Sequence, residues 1–230
     1  PDVRVNVRLR DGGASVAVDL SGDALHKRGF DRHTGAAPLK ETLAAAMLHI
    51  ADWPTLCQEG VPLVDPMCGS GTILLEAAGM ALDRAPGLKR KRWGFTGWLP
   101  HYDEGWQELL SEARDRARAK ADEPLLVFGS DRDRNVLGAA KENMRRAQVS
   151  LRLKRRDLAD VEPPPTRDAL PRGLVVTNPP YGERLGEFDA KVTELDAVAA
   201  RLSTGPMWIK YAGAMRGSGE AYVECKGNSY

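Results

Sequence analysis

Cysteine is scarce in this chain. Cys57, Cys68 and Cys225 stand far apart, are odd in number and form no CxxC pair. That pattern argues against a disulfide framework and against structural zinc, and it points to a reducing compartment, the cytosol being the simplest. Histidine is equally thin: His26, His33, His49 and His101 show no ligand spacing, so no metal is expected. No apolar run approaches the ~18 residues needed to cross a bilayer, so no membrane partner is expected. Pro1 to Arg10 lacks both an initiator Met and the apolar core of a signal peptide. It reads as the middle of a strand, as in a segment cut from a longer protein. Excess charge is missing too. Lys and Arg number 33 against 32 Asp and Glu, for a net charge of +1, so composition alone does not mark a nucleic-acid binder.

What is present is an ordinary globular balance: 230 residues, 42% hydrophobic and 28% charged, enough to bury a substantial core. Basic residues bunch at Lys89-Arg90-Lys91-Arg92, at Lys154-Arg155-Arg156, and at Arg114, Arg116, Arg118 and Lys120 in an expected helix. Such clusters track phosphates or simply solvate a surface.

Residues 3–9 alternate, with Val3, Val5, Val7 and Leu9 opposite Arg4, Asn6 and Arg8. The pattern predicts a half-buried strand that turns at Asp11-Gly12-Gly13 and returns over 14–20 as a β-hairpin. Leu39, Leu43, Ala46, Met47 and Ile50 follow helical spacing. Short apolar runs then alternate with amphipathic helices. Runs at 61–64, 125–128, 151–153, 174–176 and 207–211 are separated by helical patterns at 72–82, 136–147 and 188–202. This rhythm predicts an α/β fold, a mostly parallel twisted sheet with helices on both faces. Residues 1–36 read as an N-terminal strand and junction segment and 37–230 as the catalytic domain. Residues 83–124 interrupt it as an insertion in which Trp93, Trp98 and Trp106 would pack together. Pro163-Pro164-Pro165 marks a loop. After 207–211 only a short last strand, 220–226, is expected, its helix and strand partner missing or very short.

Ligands of open α/β sheets sit beyond the carboxyl ends of the strands. There the sequence places Asp65-Pro66-Met67-Cys68-Gly69-Ser70-Gly71-Thr72, then Ser130-Asp131, then Asp157, then Asn178-Pro179-Pro180-Tyr181. Gly69 and Gly71 permit a sharp turn and a close ligand approach, and the helix from about Thr72 offers N–H groups to an anion. The dinucleotide fingerprint is excluded, because its third glycine would fall on Leu74. Asp131 could accept two ribose hydroxyls, although it lies 62 residues after Gly69 rather than the usual ~20, a delay the insertion explains. Asp131 or Asp133 could equally be a helix N-cap. Asp157 could bond an adenine amino group. In the last motif two prolines stiffen the backbone and remove donors. The Asn178 oxygen and a nearby carbonyl could then accept both hydrogens of an exocyclic amine, with Tyr181 as a flat face for the base. Cys68 has no His–Asp partner and reads as a packing residue.

Together these stretches resemble a known family. The 65–72 motif looks like the S-adenosylmethionine motif of Rossmann-like class I methyltransferases, and Asn178-Pro179-Pro180-Tyr181 looks like the catalytic motif of amino-methyltransferases. Residues 17–22, 25–30, 37–44, 83–88, 92–95, 97–98 and 178–185 are similar to bacterial large-subunit rRNA guanine-N2 methyltransferases of the RlmL type, over about residues 1–186. The resemblance implies S-adenosylmethionine as cofactor, leaving as S-adenosylhomocysteine, with no metal. It implies a cofactor site at Asp65, Met67, Cys68, Gly69, Gly71, Thr72, Asp131, Arg132 and Asp157. Catalysis is implied at Asn178, Pro179, Pro180 and Tyr181, and large-subunit ribosomal RNA is the implied partner. Members also carry an N-terminal THUMP RNA-binding domain and often a second, RlmK-type methyltransferase module. Three rivals remain: a DNA adenine-N6 methyltransferase, a protein-glutamine methyltransferase sharing the same tetrapeptide, and a non-enzymatic RNA-binding module.

Overall fold

The computed structural model describes residues 3–29, 33, 39–99, 101–162, 164 and 173–179, and the backbone of 209–214 and 221–226. In chain order the elements are β1 (Arg4–Arg10), β2 (Gly13–Asp19), α1 (Glu41–Ile50), α2 (Trp53–Gln58), β3 (Leu63–Asp65), α3 (Thr72–Ala81), α4 (Asp103–Ala119), β4 (Val127–Asp131), α5 (Arg134–Ala147), β5 (Arg152–Arg155), β6 (Leu174–Val175), β7 (Ile209–Ala214) and β8 (Ala221–Lys226). They fall into two compact units, residues 1–30 with 83–122, and residues 31–82 with 123–230.

The smaller unit joins the N-terminal hairpin to the segment expected as an insertion. β1 and β2 pair antiparallel, Val5 opposite Val18, Val7 opposite Val16 and Leu9 opposite Ala14. Directly opposite residues share a face, so one face of the ribbon is wholly apolar. It is not half-buried as the alternation predicts: Val7 is 62% and Leu9 76% exposed. Alternation encodes which face is apolar, and among the described residues nothing covers it. The chain turns after β2 around the Asp19 carboxylate, which accepts from the Ser21 and Gly22 backbone N–H groups at 3.0 Å each and from the Ser21 hydroxyl at 2.9 Å. These bonds, that from Gly22 first, hold its carboxyl below the usual range.

An aromatic cluster fills the rest of this unit. Trp93 stacks on Phe95 at 5.9 Å, and Trp106 meets the edge of both. His101 lies against Phe95 at 5.3 Å. Trp98, expected in the cluster, is 45% exposed instead. Phe95, in the 3-10 turn Gly94–Gly97, occupies the inner position. Arg90 lies over the Trp93 ring at 4.3 Å and donates to the Ser21 and Asp23 carbonyls at 2.9 Å. One member of the first basic cluster thus serves packing rather than phosphate.

The larger unit is built on a four-stranded parallel sheet of order β5-β4-β3-β6. β3, β4 and β6 open as apolar runs because they are buried, whereas the edge strand β5, with Leu153 between Arg152 and Lys154, is largely exposed. Leu63, Val127 and Leu174 point to the main core, formed with residues of α1, α2, α3 and α5. Val64 and Val175 point the other way, to a second cluster with Leu158 and Val161. A fully buried side chain of this kind contributes about 1.5–3 kcal/mol. α2 was not legible as a helix: it has six residues and opens on Trp53-Pro54, too short to show periodicity. Trp53 is nonetheless among the most buried side chains, and its indole N–H donates to the Ala77 carbonyl of α3 at 2.9 Å.

β7 and β8 form an antiparallel pair, Tyr211 opposite Glu224. The last strand has its partner in β7, which extends past the expected 207–211 run to Ala214. The expected helix at 188–202, and Pro180 and Tyr181, lie outside the described residues.

Candidate functional site

From β3 the chain steps outward to β4 and β5, then returns to β6 on the other side of β3. In open α/β sheets ligands bind beyond the carboxyl ends of the strands at such a reversal of strand order. The glycine loop follows β3, and Asn178 follows β6. Val64 is level with Val175, and the Val176 N–H donates to the Val64 carbonyl at 3.1 Å. One residue on, the buried Thr177 hydroxyl donates to Asp65 Oδ1 at 2.7 Å. The glycine loop and Asn178 thus leave the same end of adjacent strands.

The loop is held from several sides. Cys68 N–H donates to the Ser130 carbonyl at 2.9 Å, and the Gly71 N–H to the Cys68 carbonyl at 2.8 Å. The Ser130 hydroxyl reaches the Pro66 carbonyl at 3.4 Å. Gly69 has φ +52° with nothing within 4 Å of where a Cβ would project, and Gly71 has φ +84° against Ala140 of α5. Left-handed backbone with open space on one side suits a loop meant to meet a ligand. Gly71 caps α3 without any side-chain bond, so the helix's first turn faces the loop with no competing cap.

Asp131 ends β4. Its Oδ2 accepts from Gly69 N–H at 3.0 Å and its Oδ1 from Asp133 N–H at 2.9 Å. The choice between the two acids as N-cap is settled by Asp133, which accepts from Asn135 N–H at 2.7 Å. Arg132 is exposed, and its carbonyl accepts from Arg155 at 3.1 Å. Asp157 is exposed beyond the carboxyl end of β5, at the cap of a 3-10 turn to which it makes no side-chain bond. Met67 is half-buried against the second cluster, and its N–H donates to Asp65 Oδ1 at 3.2 Å. Thr72 is buried at the start of α3. Cys68 is buried, and desolvation pushes its thiol up, which makes it inert. Asn178 is half-buried and Pro179 buried.

Two residues of this network escape a reading of the sequence. Thr177 acts across strands. Asn143, wholly buried on α5, donates to the carbonyls of His33 at 2.8 Å and Ser70 at 3.0 Å, and accepts from the His33 N–H at 2.7 Å. Its signal was a polar residue on the apolar stripe between Ala140 and Ala147.

Burial pushes the Asp65 carboxyl up to about 7. The Thr177 and Met67 bonds pull it down, and the nearby Asp131 charge raises it. A folded-state value raised above the unfolded one stabilises the protein at low pH, and that contribution is lost as pH rises through about 7. The ligand-free protein should therefore lose up to about 4 kcal/mol relative to Asp65→Asn between about pH 4 and about pH 8.5. Chemical denaturation of both proteins at the two pH values checks this; parallel stabilities would show that Asp65 ionises as in water.

The family model described as RMKL-like, methyltransferase domain matches residues 28–202. A "Ribosomal RNA large subunit methyltransferase K/L" from Syntrophotalea carbinolica is 50% identical over 191 residues, 82% of this chain and 27% of that protein. The chain thus spans about a quarter of that relative's length. Among solved structures, a predicted N6-adenine-specific DNA methylase from Listeria monocytogenes aligns with TM-score 0.76 and 32% identity, over 93% of this chain and 54% of that one. SMU.472, described as a methyltransferase complexed with SAH, aligns with TM-score 0.74 and 26% identity, over 99% and 62%.

Proposed function

The chain belongs to the family of RMKL-like methyltransferase domains, and from that membership we propose that it transfers a methyl group from S-adenosylmethionine to the exocyclic N2 amine of a guanine in large-subunit ribosomal RNA. The observation that carries this reading is the shared end of the sheet. The glycine loop after β3 and Asn178 after β6 leave one end of adjacent strands at the point where the strand order reverses. The name of the 50% identical relative supports the ribosomal substrate. A cytoplasmic site of action follows from that substrate, and a THUMP domain would present the RNA in a longer chain.

The residues present fit S-adenosylmethionine. Space is open at Gly69, α3 carries no side-chain cap, and two carboxylates, Asp65 and Asp131, approach the loop together. A dihydroxylated, cationic ligand suits that set. When bound, the cofactor supplies a methyl carbon made electrophilic by a sulfonium. Asp131 retains lone pairs for two ribose hydroxyls, and Asp157, beyond β5 with no side-chain bond to its turn, would accept from an adenine amino group. Asn178 Oδ1 and the Pro179 carbonyl accept hydrogen bonds from the two N–H groups of the guanine amine, one of whose protons leaves to water after the methyl carbon passes from sulfur to nitrogen. Its lone pair is otherwise delocalised into the ring, and fixing both hydrogens turns it toward the methyl. Orientation and preorganised dipoles supply most of the rate. Tyr181 stacks on the base, a contact worth about 1–3 kcal/mol. Extruding a base from a duplex costs a few kcal/mol, so a loop or single-stranded guanine is the preferred target.

Asp131→Ala should weaken cofactor binding by roughly tenfold or more, about the 1.4 kcal/mol of a lost charge-assisted bond. Calorimetric titration measures it, and an unchanged dissociation constant removes the ribose role. For the function itself, the protein is incubated with the cofactor and either stripped large-subunit RNA or duplex DNA, and the modified nucleosides are mapped by mass spectrometry. N2-methylguanine in the RNA is the expected product. N6-methyladenine in the DNA, or methylglutamine in an added protein, would replace the reading.

A further inference from the structure

The strand that carries Asn178 also reaches back into the other half of the site. Thr177 is 1% exposed, and its hydroxyl donates to Asp65 Oδ1 at 2.7 Å across 112 residues of chain. The bond joins the last residue of β3 to the residue immediately before Asn178. Nothing in the β6 segment needs a hydroxyl there for its own fold. The backbone pairing with β3 is complete one residue earlier, at Val176 N–H, and valine would fill the same volume. The hydroxyl's use is on its partner.

We propose that Thr177 is a positioning residue for the cofactor, its hydroxyl fixing the Asp65 carboxylate in the orientation and charged form that meet a cationic ligand. This rests on the methyltransferase reading above. A hydroxyl that donates to a carboxylate favours the ionised form. Without it, burial acts on Asp65 opposed only by the Met67 N–H. Among the described residues, the other titratable groups facing Asp65 are Asp131, from the end of β4, and the Cys68 thiol of the loop. Both oppose ionisation of Asp65 when charged. Residues 173–179 carry no titratable side chain.

The test is calorimetric titration of S-adenosylmethionine into the unmodified protein, Thr177→Val, Thr177→Ala and Thr177→Ser between about pH 6 and about pH 9. The unmodified protein should bind more tightly as pH rises through about 7. In Thr177→Val and Thr177→Ala that midpoint moves up by about one unit, so binding is roughly eightfold weaker near pH 6.5 yet within about twofold near pH 8.5. Thr177→Ser, which keeps the donor, follows the unmodified protein. A constant loss of affinity at every pH in Val and Ala means that packing alone is at stake, and the proposal fails. The alanine variant carries the test if valine disrupts folding. A wild-type protein that binds the cofactor with no Thr177 effect overturns this proposal only. A wild-type protein that binds none overturns the methyltransferase reading with it.

Discussion

Asn178→Ala should lower methyl transfer by at least ~10²–10³-fold while leaving cofactor affinity within about threefold. The asymmetry follows from where Asn178 stands. It is half-buried beyond the carboxyl end of β6, whereas the glycine loop is held by Ser130, Asp131 and Asn143. Removing the amide leaves those bonds intact and takes away one of the two acceptors proposed for the amine. The Pro179 carbonyl would remain, so the amine would still bind but be free to keep its planar, unreactive geometry. An interaction made chiefly as the nitrogen becomes pyramidal is lost from the rate rather than from ground-state binding. Single-turnover methyl transfer and calorimetry on the same preparation separate the two quantities. Near-normal turnover would remove Asn178 from the chemistry.

Trp53→Ala should destabilise the larger unit by about 3–5 kcal/mol, the range for a buried tryptophan reduced to alanine. Trp53 is 1% exposed, and its indole N–H meets the Ala77 carbonyl. Truncation opens a cavity between α2 and α3 and deprives a buried carbonyl of its donor. α3 begins at the glycine loop, so cofactor affinity should fall as well. Trp98→Ala is the internal control: at 45% exposure and outside the aromatic cluster, it should stay within about 0.5 kcal/mol. Urea unfolding of the three proteins decides, and equal costs for both tryptophans would mean that burial is not the cause.

The parallel sheet was legible because strands buried on two faces are apolar runs, and each run ends on a polar residue where the chain leaves the core. Asp65, Asp131 and Asn178 stand out for that reason, as does the glycine pair that must turn sharply after β3. What was not legible depends on distance. Asn143 bonds His33 across 110 residues and Thr177 bonds Asp65 across 112, and no local pattern encodes such partners. Helix α2 is hidden by its length, and the exchange of Trp98 for Phe95 by the turn that decides which ring points inward. The hairpin shows a further limit, since its alternation marks an apolar face without showing that the face is covered. That residues 1–30 pack with 83–122 was equally invisible, because each stretch looks like an independent interruption.

The return of the chain to β6 also has a consequence for the order of assembly. Ser130 reaches Pro66 across 64 residues, while Thr177 reaches Asp65 across 112. The added closure entropy is small, about 0.6 kcal/mol for a doubling of loop length, but during synthesis domains form from the N-terminus onward. β3, β4 and β5 leave the ribosome with the glycine loop, Asp131 and Asp157. Thr177, which bonds Asp65, and Asn178 wait for residues 174–179. A nascent chain halted between the two would carry the Asp65 carboxyl without the hydroxyl that steadies it, and the loop without the amide that follows β6.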